Sequence, residues 1–294
     1  MGSFWYCLWL NCYFIQRELR VFRRMKNITL LTLLVFDASF CWGKADERYD
    51  LAVQVVAASE LAEIYENSNE VLVVSLRNGW SEANVDSYWI EVAGESLLRH
   101  LAQIDLIDDI ILSLSEELSV KELKKILKFY QSKAGKEIVA LRTGKVSPEE
   151  IAERFARLAG IGEIKPKRAL YFSKIFTEMD WASSGMRRYL MSSYLQHYLE
   201  ALTANREPLA FPDYKNKWDD DAALHGMIFG FLMLGIITVE YYETPNKNLN
   251  VYTKFLSRKH SKKFFDVVNK FEVLRFRQAM NRTFRDIQKA VPNI

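Results

Sequence analysis

The amino-acid sequence predicts an all-α protein in which two related helical subdomains pack as a helical bundle after an N-terminal signal segment. Composition is the first observation, because 49% of the 294 residues are hydrophobic while only 12 are glycine and 6 are proline, as in helix-rich chains. The second is periodicity: apolar residues recur at helical spacing, and no strand-like alternation is sustained. The third is a set of helix-capping signals along the chain.

Residues 1–45 differ from the rest of the chain and predict a cleaved secretory leader. The stretch that begins at Met25 has a basic start, an apolar run and small residues up to Ala45, which is the pattern of a signal peptide. We therefore expect translation to start at Met25, cleavage to follow Ala45, and the mature protein to be exported, either to the periplasm or as a secreted protein. A membrane anchor over residues 28–42 is the alternative, but this run contains Asp37 and is shorter than the ~20 residues that span a bilayer.

The cysteines lie in this predicted leader, at Cys7, Cys12 and Cys41. The mature chain would then contain no thiol, which excludes disulfide bonds, thiolate metal sites and a cysteine nucleophile in it. A chain without thiols also suits an oxidising compartment.

Capping signals predict where several helices of the mature chain begin. Ser119 with Glu122, and Ser147 with Glu150, have the capping-box pattern, so helices should start just after residues 119 and 147. The run EVLVVSL at 70–76 is the best candidate for a strand. Because it is isolated, we predict that it is helical.

A weak repeat supports a division into two halves, 46–164 and 165–294, at a polar, proline-containing stretch. Residues 128–139 align with residues 254–265 at an offset of 126. The four identities are Lys128/Lys254, Phe129/Phe255, Lys133/Lys259 and Lys136/Lys262. Because this period is too long for a solenoid unit, we interpret the halves as a duplicated helical subdomain, with Phe129 and Phe255 in equivalent core positions.

The stretch ELKKILKFYQSKAGKEIVAL, residues 122–141, joins an aromatic pair, a serine and a Gly-Lys step to an apolar helix. On these residues the chain resembles an uncharacterised bacterial family known only as domain of unknown function number 2059, whose members are mostly exported, all-helical proteins. The matching positions are Phe129, Tyr130, Ser132, Gly135 and Lys136, and Lys133 stands where that family often has proline. The resemblance covers roughly residues 95–155. It implies fold and export, and it implies no chemistry.

We interpret this motif as structural. Phe129 would anchor the core, and the step from Ser132 to Gly135 would bend the chain so that the following apolar residues pack on the same core. A ligand pocket around Tyr130 and Lys136 is the alternative.

The sequence contains no G-x-S-x-G, H-E-x-x-H or P-loop motif and no complete dinucleotide fingerprint. Asp221 and His225 lie four residues apart, on one face of a predicted helix, but two ligands do not make a metal site, so we predict neither a metal nor a cofactor. We therefore predict a non-catalytic binding or envelope-interaction protein. The alternative is a hydrolase-like or metal-dependent enzyme that uses Asp221 and His225.

The run AALHGMIFGFLMLGIITV, residues 222–239, contains no Asp, Glu, Lys or Arg and includes Gly226 and Gly230 in a G-x-x-x-G pattern. A helix that is apolar on all sides is typical of the centre of a bundle, so we predict a buried core helix. A membrane-embedded helix is the alternative.

The C-terminal segment is strongly basic, with twelve basic and three acidic residues between Pro245 and Ile294. From His260 onward the sequence predicts an amphipathic helix with a basic outer face. We predict that Arg275, Arg277, Arg282 and Arg285 contact an anionic surface, either phospholipid or another acidic envelope polymer. We expect no nucleic acid partner in an exported protein. The alternative is a solvated face that balances the acidic part of the same molecule.

Overall fold

The computed structural model describes residues 47–143 and 165–291, apart from the side chains of residues 181 and 182. These residues form a helical bundle that contains no strand, which confirms the predicted all-α fold. The helices are α1 (residues 47–58), α2 (Leu61–Glu82), α3 (Ser87–Gln103), α4 (Ile107–Glu117), α5 (Val120–Gln131), α6 (Lys133–Thr143), α7 (Pro166–Glu178), α8 (Trp181–Thr203), α9 (Phe211–Asp220), α10 (Ala222–Tyr241), α11 (Asn246–Leu256) and α12 (Lys259–Ala290). The predicted leader and the predicted cap at Ser147 lie outside the described residues.

Two predictions about local structure are confirmed. The Ser119 hydroxyl accepts a hydrogen bond from the Glu122 backbone N–H, and the Glu122 carboxylate accepts one from the Ser119 backbone N–H, so the capping box begins α5. This backbone hydrogen bond is the largest cause that lowers the pKa of Glu122 to about 2. The run 70–76 lies inside α2 and is helical.

The buried apolar side chains form two clusters along the bundle. The first core takes side chains from α1, the beginning of α2, α4 to α7, the end of α10, α11 and the beginning of α12. The second core takes side chains from the rest of α2, α3, α8 and the C-terminal part of α12. Helix α12, at 32 residues, runs through both, and Phe271 packs against each of them. The chain from Arg48 onward therefore forms one compact unit.

Each core takes side chains from both predicted halves, 46–164 and 165–294, so the halves do not form separate cores. The local structures at the repeat are nevertheless alike, because α6 begins at Lys133 and α12 at Lys259, at the predicted offset of 126. Phe129 and Phe255 are both buried, and their rings stack with centroids 3.8 Å apart and planes 6° apart. That the halves arose by duplication stays a prediction.

Candidate functional site

Helix α10 presents the largest group of exposed apolar side chains in the described part of the chain. We call this group the apolar face, and it consists of Leu224, Met227, Ile228, Phe231, Leu232 and Ile236. Their exposed fractions run from 37% for Ile228 to 70% for Phe231. Single exposed apolar residues are ordinary on protein surfaces, whereas a contiguous group on one helix indicates a contact surface.

The side of α10 that faces the bundle is fixed at several points. Near the N-terminal end, the Phe229 ring lies directly against Gly185 of α8, where a Cβ atom would come within 2.1 Å of the ring. Phe229 also stacks with Tyr189, at a centroid distance of 6.0 Å. At the C-terminal end, the Arg168 guanidinium donates hydrogen bonds to the backbone oxygens of Tyr241 and Tyr242. The side of α10 opposite the apolar face is thus packed against the bundle.

The prediction that this helix is buried on all sides is wrong. An 18-residue window of α10 has a mean hydropathy of 2.1, yet only 17% of that window is buried. Among the described helices, α10 alone is long and apolar enough to cross a membrane, judged by length and composition. Its own sequence could not reveal the exposed side, because the helix is apolar all round and therefore carries no amphipathic pattern.

Asp221 and His225 do not form a metal site with other described residues. The Asp221 side chain is exposed at the junction of α9 and α10, and its backbone oxygen accepts the His225 backbone N–H. The His225 ring stacks on Trp218, with centroids 3.5 Å apart and planes 2° apart. No group of three His, Cys, Asp or Glu side chains in residues 47–143 and 165–291 could hold a metal ion.

The four arginines of the predicted basic face have different surroundings. Arg275 turns toward α3, where its Nε and Nη2 atoms donate to the carbonyls of Ile104 and Leu101 at 3.0 and 2.6 Å. It therefore satisfies the C-terminal carbonyls of α3 instead of facing outward as predicted. Arg277 and Arg285 are exposed, and Arg282 is half-buried. Their contact with an anionic surface stays a prediction.

Part of the positive charge on α12 is balanced within the molecule. Lys262 pairs with Glu178 at 2.7 Å, and Lys263 pairs with Glu122 at 3.0 Å. These contacts fit the alternative in which the basic segment offsets the acidic part of the same chain.

The motif residues take structural positions, and Tyr130 and Lys136 have different surroundings. Tyr130 is buried in the first core, whereas Lys136 is exposed on α6. Ser132 begins α6, because its hydroxyl accepts the Gly135 backbone N–H at 3.1 Å and its backbone oxygen accepts the Lys136 N–H. Gly135 lies against the backbone of Phe129, which leaves no room for a side chain.

Sequence reasoning missed a surface cleft between α8 and α12. It is lined by Asp180, Ser183, Ser184, Arg187, Asp266, Asn269, Lys270, Val273, Leu274 and Arg277. A signal was present in the sequence, since Asp180, Ser183 and Arg187 follow the i, i+3, i+7 spacing of one helix face. Partial burial, followed by the negative charge of Asp180, raises the pKa of Asp266.

Comparison with known proteins confirms the family resemblance. A family model described as "Uncharacterized protein conserved in bacteria (DUF2059)" matches residues 105–145, which include α4 to α6. No curated protein and no solved structure matches the chain. The match thus falls on the helices that carry the Phe129 to Lys136 motif, and not on α10 or on the cleft.

Proposed function

We propose that this chain is a non-catalytic, exported envelope protein that binds a lipid bilayer surface through the apolar face of α10. The exposure of six large apolar side chains on a helix that the bundle holds in place is the observation that carries this proposal. Transfer of apolar surface out of water contributes roughly 25 cal/mol per Å². Transfer of the apolar face from water to lipid therefore favours membrane binding even without a basic residue.

Lipid suits this face better than a protein partner does. The six side chains are Leu, Met, Ile or Phe, so none of them offers a hydrogen bond. Specific protein interfaces carry about one hydrogen bond per 100–200 Å², and acyl chains need none. At the N-terminal end of α10 Asp221 is exposed and can remain in water, and at the other end Glu240 is paired with Arg142.

The mode of binding follows from the opposite side of the helix. Phe229, Ile237, Thr238 and Tyr241 are buried against the bundle, so α10 cannot be surrounded by lipid without leaving it. A helix with one side on the protein and one apolar side free lies in the membrane interface, with the apolar side ~5–10 Å below the headgroups. We therefore propose a peripheral attachment along the length of α10 and not a spanning helix.

The outward arginines of α12 are a second, weaker contribution to the same proposal. Arg277 and Arg285 are exposed and would attract an anionic headgroup or another acidic envelope polymer. This attraction is screened by salt, whereas the apolar contact is not. The two contributions can therefore be separated experimentally.

Export rests on the leader pattern in residues 1–45 and on the resemblance to a family of mostly exported proteins. Cell fractionation followed by N-terminal sequencing tests it. The expected result is a mature chain that begins at Asp46 in the periplasmic or secreted fraction. A cytoplasmic protein that retains residues 26–45 would contradict export.

We do not propose the metal-dependent enzyme. Asp221 and His225 lack a third ligand among the described residues, and the His225 ring is stacked on Trp218. Metal analysis of the purified chain that finds one equivalent, lost in His225→Ala, would restore this alternative.

Co-sedimentation with phosphatidylcholine vesicles tests the membrane proposal. We expect the purified chain to bind these uncharged vesicles and to stay bound at 0.5 M salt. The double variant Phe231→Gln/Leu232→Gln should bind at least about tenfold more weakly, because two side chains would lose their apolar contact with the acyl region. The matched control is Leu112→Gln on α4, because Leu112 and Leu232 are both 49% exposed; it should bind like the wild type.

Three results would contradict the proposal. One is the absence of binding to neutral vesicles at any lipid concentration tested. Another is equal weakening by the control and by the α10 variant. The third is a stable dimer that the α10 variant breaks without any change in vesicle binding, because the apolar face would then serve self-association. Binding that needs anionic lipid and low salt would assign the contact to the arginines of α12.

A further inference from the structure

The cleft between α8 and α12 is an open surface site of 420 Å³. The two helices run side by side in the same direction, as three contacts show. The Asn269 side chain donates to the Met179 carbonyl at 2.7 Å just before α8 begins, and Arg188 pairs with Glu272 further along. The rings of Tyr194 and Phe284 meet at 5.1 Å toward the other end. Residues early in α8 therefore lie beside residues 266–270, and later ones lie beside later residues of α12.

This direction separates the charges in the cleft. Asp180 and Asp266 lie at one end, close enough for the Asp180 charge to act on Asp266. Arg187 and Arg277 follow further along their helices, and Lys270 lies beside the start of α8, near the two carboxylates. The cleft thus has two carboxylates, next to Lys270, at one end and two guanidinium groups at the other.

These charges are not neutralised by one another. Within residues 47–143 and 165–291, none of the five charged side chains takes part in an ion pair, although other charged residues of α12 do. The Ser183 hydroxyl donates to the Asp180 carboxylate at 2.5 Å and so fixes the acidic end. Val273 and Leu274 add apolar surface. A ligand with both charges would gain contacts that the protein alone leaves unmade.

The spacing of the charges sets the length of such a ligand. Asp180 and Arg187 are seven residues apart, and Asp266 and Arg277 are eleven apart, which corresponds to about 10 and 16 Å along a helix. An extended chain advances ~3.3–3.6 Å per residue. Three or four residues therefore separate an amino terminus from a carboxyl terminus by a matching distance.

We propose that this cleft binds a short peptide with free termini, with the ammonium group at Asp180 and Asp266 and the carboxylate at Arg187 and Arg277. The cleft volume of 420 Å³ lies within the ~300–1,000 Å³ that is common for ligand pockets, so it can hold a ligand of the size of a short peptide. The site uses helices other than α10. It shares only Arg277 with the outward arginines of the membrane proposal, goes beyond the apolar contact that carries that proposal, and is tested by a separate experiment.

Calorimetric titration of the full chain with trialanine tests the inference. We expect saturable binding of trialanine and at least about tenfold weaker binding of N-acetyl-trialanine, which lacks the ammonium group, and of trialanine amide, which lacks the carboxylate. Free alanine should also bind more weakly, because it cannot reach both ends. Equal binding of trialanine and both blocked peptides, or no binding of trialanine at millimolar concentration, would overturn the proposal.

Variants assign the two ends. Arg187→Gln should weaken trialanine about tenfold and leave trialanine amide unchanged, because that ligand has no carboxylate to lose. Asp266→Asn should weaken trialanine and leave N-acetyl-trialanine unchanged. The control is Arg282→Gln, which removes a basic residue of α12 that does not line the cleft. If Asp266→Asn fails to fold, Arg187→Gln still tests the proposal. We expect this variant to fold, because Arg187 is exposed and makes no ion pair with other described residues. Equal weakening by Arg187→Gln and Arg282→Gln would sink the idea.

Discussion

At the scale of single residues, Gly135 explains why the motif has its particular sequence. A Cβ atom at this position would lie 2.1 Å from the Phe129 carbonyl oxygen and 2.8 Å from the Tyr130 Cα. Both neighbours are backbone atoms, which cannot rotate away as a side chain can. The close approach of α6 to the end of α5 therefore requires glycine, and it places Ile138 and Val139 in the same core as Phe129.

We predict that Gly135→Ala lowers the free energy of unfolding by about 2 kcal/mol or more, because the added methyl group overlaps the backbone. The control is Gly226→Ala in α10, where an added Cβ would meet nothing within 4 Å. This change should raise stability by about 0.5–1 kcal/mol, as expected for glycine to alanine inside a helix. Urea denaturation measures both variants. Similar shifts of the two urea midpoints would show that the junction of α5 and α6 has room for a side chain at Gly135.

At the scale of helices, α3 and α12 are joined by polar contacts as well as by the second core. The Asp286 carboxylate accepts hydrogen bonds from Ser96 and Arg99, both at 2.8 Å, and lies 2.7 Å from His100 Nε2. Partial burial alone would raise the pKa of Asp286. The contacts with His100, Ser96 and Arg99 outweigh burial and lower the pKa to about 2.

The lowered pKa makes this contribution depend on pH. In the unfolded chain an aspartate titrates near 3.9, so the stabilisation by Asp286 is fully present above about pH 4 and is lost as the pH falls toward 2. We predict that Asp286→Asn costs roughly 1–2 kcal/mol at pH 7 and that its difference from the wild type shrinks between pH 4 and pH 2.

Thermal unfolding across this pH range measures the difference. The control is Asp50→Asn, because Asp50 is exposed and makes no ion pair within the described residues. It should cost little at any of these pH values. A constant difference between Asp286→Asn and the wild type from pH 7 to pH 2 would show that the carboxylate charge is not what joins the helices.

At the scale of the whole molecule, α12 links the two cores, and the stacked rings of Phe129 and Phe255 link the two predicted halves within the first core. Helix α12 contributes Phe264 to the first core and Phe276 to the second. The stacked pair joins α5 from the first predicted half to α11 from the second. The two halves should therefore unfold together, although 126 residues separate the rings along the chain.

We predict that Phe129→Ala and Phe255→Ala each cost about 3–5 kcal/mol and that the double variant costs less than their combined effects by about 0.5–1.5 kcal/mol, because each single variant already removes the stack. Chemical denaturation of the four proteins measures this coupling. Phe129→Ala combined with Phe276→Ala is the control, since Phe276 lies in the other core and the two effects should be additive. Additivity in the Phe129/Phe255 cycle would show that the ring contact contributes nothing.

The sequence by itself determined the features that depend on neighbours along the chain. Ser119 and Glu122 form their capping box from residues three positions apart, so the start of α5 could be read directly. The helical spacing of apolar residues such as Phe264, Val267 and Ile287 likewise identified α12. In an amphipathic helix, the positions of the apolar residues indicate which side is buried. The family motif was recognised because its residues, Phe129 to Lys136, are also close together in the sequence.

Only the tertiary structure decided which surfaces face one another. The sequence of α10 is apolar on every side, so its exposed face depends on where Phe229 and Tyr241 dock and not on any pattern within the helix. The sequence predicted that Arg275 belongs to an outer basic face, whereas in the structure it donates hydrogen bonds to the end of α3. The cleft joins Asp180 to Asp266 across more than eighty residues. The periodicity of a segment describes only the helix that the segment forms. Burial and charge pairing depend on how helices that are distant in sequence pack together.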